Sequence, residues 1–555
     1  MAFFLVCMSS LLLMFFISYV LQLFGDSLRR LPPGPTPLPL IGNLLDIASD
    51  LPHRSLARLA GRHGPLMTVR LGTVVAIVAS SPSTAREILQ THNGSLTGRV
   101  PPDAWHGVGH AANSVFVLPP RRKWRALRRI GAEHLLSARQ LDGRLQPLLR
   151  VTVLGLLHRV SEMSAASGRG APVQVGHAAF AAMMDMQWRA MFSAGLEDAQ
   201  VLQDAAREAV ALSLKPNLSD FFPVLAAVDL QGLRRRFARR VGTVYHLVDE
   251  QIERRMQRRR EAAGDGAARS EDDLLDVLLD MSEHGKDDGK VAIDRDLIRT
   301  FLTVSKAPNY VTFSRAHFSP ALPSQINTSL FCTLCPHSYA PGKNFRDIFL
   351  ATVDTIASTL EWAMAELLQD RKTMRKLQEE LKKVLGSKTH AEYADMDHLP
   401  YLRAVIKETL RLHPVVPLVP NVAEETVEIQ GHVVPKGSTI LVNLWAVHRD
   451  AEAWPEPNRF LPERFMLRQH GQEAADHALG TATTEFELIP FSAGRRVCLG
   501  LPLATRMLHA MLGSLLHRFK WTLPLEVEEN GVDMSENLGL TMTMATPLQA
   551  IAKSI

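Results

Sequence analysis

The stretch "FSAGRRVCLG", Phe491 to Gly500, concentrates more reactive potential than any other in the chain. Cys498 stands behind Arg495 and Arg496 and ahead of a helical pattern that opens at Leu501. Cationic neighbours and a helix N-terminus both favour the thiolate over the thiol. Gly494 and Gly500 let the backbone pass close to something flat or bulky. A buried structural cysteine would need neither the arginines nor the glycines.

A second candidate is "FCTLCPH", which holds Cys332, Cys335 and His337. A closed zinc site needs four ligands, and this stretch offers three. Covalent haem attachment needs His directly after the second Cys, and Pro336 occupies that place. The pair is therefore read as incidental. A third, "GVGHAA" (107–112), matches a dinucleotide fingerprint, but prolines precede it where a strand is required. The chain shows no flavin or nicotinamide site of its own.

The Cys498 segment resembles the ligand loop of the haem-thiolate monooxygenases, the cytochrome P450 family, written F-x-x-G-R-x-x-C-x-G. Phe491, Gly494, Arg495, Cys498 and Gly500 match it. Other family motifs follow in the expected order. "KETLR" supplies Glu408 and Arg411, and "FLPERF" supplies Arg464, which the resemblance assigns to a Glu-Arg-Arg triad. "WRALR" supplies Trp124 and Arg128, and "NLWAVHRD" supplies Arg449, all expected near haem propionates. "ATVDTIAS" resembles the oxygen-activation helix, with Asp354 and Thr355 as an acid–alcohol pair that relays protons during dioxygen activation. Thr352 stands where the family usually has Gly.

The resemblance implies haem b held by Cys498 as axial iron ligand, and O2 as co-substrate. It implies electrons from NADPH through a separate flavoprotein reductase, and admits cytochrome b5 as an accessory donor. "LSDFFPVLAAVDLQGLRRR" resembles the plant microsomal geraniol and terpenoid hydroxylases, which implies an apolar, terpenoid-like substrate. The segments the family uses for its pocket (101–120, 214–224, 348–353, 415–419 and 538–542) are largely apolar here. A haem-thiolate isomerase or dehydratase is the rival enzyme class. Retention of Asp354 and Thr355 argues against it.

The elements that must position these residues are mostly helical. Helical periodicity dominates from about 120 to 300 and returns after Leu501. Strand patterns occur at Pro65–Ser80 and Thr426–Asn443. The expectation is a mainly α fold with a minor β region, one large domain over 46–555. At 46% hydrophobic and 21% charged, the chain can bury such a core. Four cysteines in 555 residues form no disulfide framework, which suits a reducing compartment. The net charge of +5 includes arginine clusters at 234–240 and 254–260, read as solvated helix faces, and no nucleic-acid module accompanies them.

Residues 2–25 carry no charge and are long enough to span a hydrocarbon core of about 30 Å. Arg29 and Arg30 follow, so the body faces the cytosol. A proline-rich hinge over 26–45 comes next. The expected location is the endoplasmic reticulum membrane. One segment breaks the pattern. Val304 to Arg346 separates two apolar stretches that would otherwise join in helical register, and its prolines 308, 320, 323, 336 and 341 cannot extend a helix. It reads as translated, unspliced intron or a gene-model error. Were it present in the protein and disruptive, the alternative is a non-catalytic haem-binding membrane protein.

Overall fold

The computed structural model describes residues 29–108, 112–165, 171–195, 215–265, 273–284, 293–303, 350–467, 486–539 and 541–555, with a few isolated positions. The cysteine pair, nearly all of the 2–25 stretch and the whole of 304–346 lie outside these.

The fold is mainly helical with small sheets. The helices that matter for the site are α1 (Pro52–His63), α2 (Arg122–His134), α3 (Gln146–Ala165), α4 (Val175–Phe192), α5 (Leu233–Asp265), α6 (Leu274–His284), α7 (Arg295–Thr303), α8 (Leu350–Gln369), α9 (Arg371–Leu385), α10 (Pro400–Leu412) and α11 (Leu501–Arg518). The strands are β1 (Leu66–Leu71), β2 (Val74–Ala79), β3 (Leu418–Val422), β4 (Thr439–Asn443), β5 (Phe519–Thr522), β6 (Glu536–Leu538), β7 (Met542–Met544) and β8 (Gln549–Ser554). The four-stranded sheet has the order β1-β2-β4-β3, with β2 and β4 parallel and the other pairs antiparallel. The two expected strand regions lie in or beside this sheet. β3 falls in a stretch whose prolines at 414, 417 and 420 mask strand character.

The proline-rich stretch does not stand free. The Pro33 carbonyl accepts from the Thr68 N–H at 2.9 Å, which lays the stretch along β1.

α8 is the central helix. Val353, Ile356, Leu360, Trp362, Ala363, Met364 and Leu367 are all essentially inaccessible, so it is apolar on nearly every side. Such a helix must be surrounded rather than amphipathic. α4 and α11 pack on it. The small residues Ala178, Ala179 and Ala182 of α4 let the two backbones approach. At Gly176 a Cβ would lie 2.7 Å from Glu361 Cδ, so a larger residue there would push that side chain aside.

α10 ends where Pro414 forbids continuation. It carries the buried ion cluster that links helices to loops. Arg411 forks onto Glu408 with bonds of 2.7 and 2.9 Å, and Arg464 adds a third at 3.1 Å. The Leu461 N–H donates to the same carboxylate at 2.8 Å. Arg411 spends its remaining donors on the carbonyls of His448, Pro457 and Arg459. Glu408 and Arg411 are fully inaccessible, and every strong donor and acceptor between them is matched. That matching is what lets buried charges persist.

Removing one partner strands the other. Glu408→Gln is expected to lose roughly 3–5 kcal/mol of unfolding free energy, read from urea denaturation, because Arg411 stays buried without its counter-charge.

Candidate active site

The Cys498 loop is shaped by one glycine and one backbone bond. Gly494 has φ +69°, and a Cβ there would sit 2.1 Å from the Leu89 carbonyl oxygen. The Cys498 N–H donates to the Phe491 carbonyl at 3.0 Å, which closes the loop. α11 begins three residues later, so the half-buried thiol sits near its N-terminus. The loop is also held from behind. The Ile489 N–H donates to His448 Nε2 at 3.0 Å, while the His448 carbonyl accepts from Arg411. Burial, reinforced by Arg411 and Arg449, pushes the His448 pKa down to about 3. The ring is therefore neutral and free to accept at physiological pH.

Cys498 opens into a cavity between its own loop and α8. Thr355, Ile356 and Thr359 of α8 form one wall. Val115, Phe116, Val415, Val416 and Val419 form apolar surface beside it. Trp124 and Arg128 of α2, together with Arg99 and Arg496, form a cationic, aromatic edge.

That edge is tightly built. The Trp124 indole N–H donates to the Val115 carbonyl at 2.9 Å. Arg128 lies 5.0 Å from the Trp124 ring centre and Arg496 5.4 Å. Arg128 donates to the Val497 carbonyl at 2.8 Å, beside Cys498. Its pKa is lowered by burial, with Cys498 acting in the opposite direction. Arg496 spreads its donors over the carbonyls of Thr97, Phe116 and Leu118. Burial first, and the charge of Arg128 second, bring its pKa down to about 10. It remains a cation at neutral pH.

The structure thus brings Cys498, Phe491, Trp124, Arg128 and Thr355 to one cavity. It places four other expected residues elsewhere. Arg495 is exposed, and its backbone N–H donates to Asn93. The 3-10 turn Gly494–Arg496 sends adjacent side chains to opposite sides, so Arg496 takes the place expected for Arg495. Gly500 is the N-cap of α11 and not part of the lining. Arg449 sits over the Trp445 ring at 4.1 Å and donates to the Leu412 and Trp445 carbonyls, outside the lining. Burial lowers its pKa to about 9, since the surroundings supply carbonyls rather than a directly paired carboxylate. Asp354 is one helical step from Thr355, about 100° around α8. Its carboxylate meets the Thr541 hydroxyl instead of the cavity. Thr352, the departure from the family pattern, presents its carbonyl to the Thr355 hydroxyl at 3.4 Å.

Thr359, Arg496 and Arg99 are among the lining residues that escaped the sequence reading. Thr359 is one turn beyond Thr355, and its hydroxyl donates to the Thr355 carbonyl at 2.8 Å. Helical spacing could have found it. Arg496 was visible beside Arg495, but only the turn geometry chooses between them. Arg99 carried no local signal. Of the segments expected to line the pocket, 101–120 does so through Val115 and Phe116, and 415–419 through Val415, Val416 and Val419. Leu538 and Met542 belong to a hairpin behind α8, outside the lining.

The Cytochrome P450 family profile matches this chain over residues 32–305 and 343–548. The chain belongs to the cytochrome P450 family. It is 38% identical to geraniol 8-hydroxylase of Swertia mussotii, over 96% of this chain and 95% of that protein. It is 36% identical to carnosic acid synthase of Rosmarinus officinalis, over 95% of each. A zebrafish cytochrome P450 solved with progesterone shares the fold, with TM-score 0.67 at 23% identity over 91% of this chain and 99% of that one. The chain is a P450 monooxygenase, an enzyme of the haem-thiolate class.

The residues present fit that cofactor. A thiol faces an apolar cavity, and three guanidiniums on the same lining supply the positive charge that haem propionates need. Substituting the two adjacent arginines separates geometry from motif. Arg496→Ala is expected to weaken haem retention about tenfold, the scale of one charge-assisted hydrogen bond. Arg495→Ala leaves it unchanged. The haem-to-protein ratio after gel filtration checks both.

Proposed function

We propose that this P450 hydroxylates an apolar terpenoid, using O2 and electrons from NADPH delivered by a separate flavoprotein reductase. The observation that carries the reading is the half-buried Cys498 at the mouth of α11, facing the Thr355 wall across an apolar cavity. The similarity to a geraniol hydroxylase and a carnosic acid synthase supports the substrate class.

Cys498 would hold the haem iron, and Arg128, Arg496 and Arg99, with Trp124, would hold its acidic edge. When bound, the haem supplies dioxygen activation, promoted by electron density from the thiolate. The chain's own residues do the rest. Val115, Phe116, Val415, Val416 and Val419 strip water from the substrate and orient it by shape, since apolar walls bind without directional bonds. The Thr355 hydroxyl is held at the cavity wall, where it can donate and accept a proton. Asp354 serves as the acid behind it.

Residues 304–346 are read as sequence foreign to the enzyme. The family match breaks at 305 and resumes at 343, and the segment precedes the helix that carries Thr355. Two forms, the 555-residue chain and one lacking 304–346, are to be expressed with a plant reductase. The shorter form is expected to show the thiolate-type carbon monoxide Soret band and to oxidise terpenoid alcohols such as geraniol. Cys498→Ser abolishes both. A full-length form with equal haem content and turnover, together with transcripts that all retain the segment, would end the intron reading. A thiolate-type band without turnover of any terpenoid would end the substrate reading.

The proposed location is the endoplasmic reticulum membrane, with residues 2–25 as anchor. Among the described residues no helix is long and apolar enough to cross a membrane. Exposed apolar side chains support a membrane-facing surface near the proline-rich stretch. Leu38, Leu40 and Leu45 lie within it, and Val224, which is 91% exposed, Val228 and Leu230 lie close by. The turn between β1 and β2 bridges the two groups: the Gly72 N–H meets the Ile41 carbonyl at 3.3 Å and the Thr73 N–H the Phe221 carbonyl at 3.1 Å. Alkaline carbonate is expected to leave the chain in the microsomal pellet, and deletion of 2–25 to release most of it. Complete release of the intact chain would refute the anchor.

A further inference from the structure

Asp354 is 4% exposed and sits on the side of α8 away from the cavity lining. The hydroxyl that meets its Oδ2 belongs to Thr541, which is fully buried. Thr541 immediately precedes β7, in the turn that joins β6 to β7. Each side of this turn is tied to a different part of the site. The Met542 N–H donates to the Val415 carbonyl at 2.8 Å, and Val415 lines the cavity. The Met542 carbonyl accepts the Trp362 indole N–H at 3.2 Å, and Trp362 lies on α8, two turns beyond Asp354. The Thr541 carbonyl in turn accepts from the Gly539 N–H at 3.0 Å. The hydroxyl is therefore fixed in space by backbone bonds on both sides.

We propose that Thr541 is the positioning residue for Asp354: its clamped hydroxyl sets where the carboxylate rests and how strongly it holds a proton. Asp354 is a short side chain on a rigid, buried helix, with few rotamers to choose from. A buried carboxylate needs a donor, since an unmet one incurs its desolvation penalty without return. A hydroxyl suits this task because it donates to the ionised acid and accepts from the protonated one. It can thus stay in contact through both states of a proton-passing acid. A valine of nearly the same shape keeps the packing and removes the hydroxyl that meets Asp354. The clamp also runs through Met542 to Val415, so the wall that meets substrate and the turn that holds the acid are one covalent and hydrogen-bonded piece.

The inference rests on the acid role proposed above for Asp354, and the experiment separates the two. Thr541→Val, Thr541→Ser and Asp354→Asn are made in the full chain and in the form lacking 304–346. The infrared carboxyl band of Asp354, identified as the one that Asp354→Asn removes, needs no turnover and is read with or without haem. It is expected to shift to higher frequency in Thr541→Val and to return in Thr541→Ser. In the haem-loaded enzyme Thr541→Val is expected to lower kcat roughly tenfold with KM unchanged, and to lower product formed per NADPH consumed. Thr541→Ser restores both. An unshifted band in Thr541→Val overturns the inference, as does a native kcat in Thr541→Val when Asp354→Asn is impaired. If Asp354→Asn turns over like the native chain, the acid role itself falls, and the inference with it.

Discussion

One buried carboxylate organises this protein. Glu408 gathers Arg411, Arg464 and the Leu461 N–H around a single charge that no water reaches. From Arg411 the order passes outward along hydrogen bonds. Its guanidinium holds the His448 carbonyl, and the His448 ring holds the Ile489 N–H. Ile489 is the last residue before Pro490 and Phe491, where the Cys498 loop begins. A buried charge is poor at adding net stability, because desolvation consumes most of the attraction. It is good at refusing alternatives, because any arrangement that breaks it leaves a naked ion. The thiol's placement inherits that intolerance.

The opposite wall is built on the contrary principle. α8 is buried through apolar contact on nearly all sides, and its polar side chains are met individually. The Thr359 hydroxyl bonds to the Thr355 carbonyl and the Trp362 indole to the Met542 carbonyl. His413 stacks on Trp362 at 4.1 Å while binding Glu366 at 2.7 Å. These contacts tie α8 to the end of α10 and to the C-terminal hairpin. The cavity therefore lies between a wall positioned by charge and a wall positioned by packing. An apolar substrate can fill it without disturbing the first.

The arginines show why a cofactor edge is hard to read. Arg128, Arg495, Arg496 and Arg449 are chemically equivalent in the sequence. In the fold, Arg495 points to water, Arg449 is spent on carbonyls and the Trp445 ring, and only Arg128 and Arg496 reach the cavity. Arg99 joins them from a loop remote in sequence. A turn of one residue, or the presence of a nearby carbonyl, decides each case, and neither is a property of residue type.

The sequence alone determined what is written in local order. Cys498 behind a glycine and ahead of a helix, the three-residue spacing of Glu408 and Arg411, the adjacent Asp354 and Thr355, and the long apolar helices are all local patterns. Short-range sterics and helical periodicity act over such distances. The break at 304–346 was legible for the same reason, as a place where periodicity stops. What only the tertiary structure decided is direction and partnership. It turned Thr355 to the cavity and Asp354 to Thr541, chose Arg496 over Arg495, and brought Arg99 over the Phe116 ring. These outcomes depend on contacts between residues tens or hundreds of positions apart. They are settled by which buried polar group finds a partner when the core closes, and a linear pattern does not contain that choice.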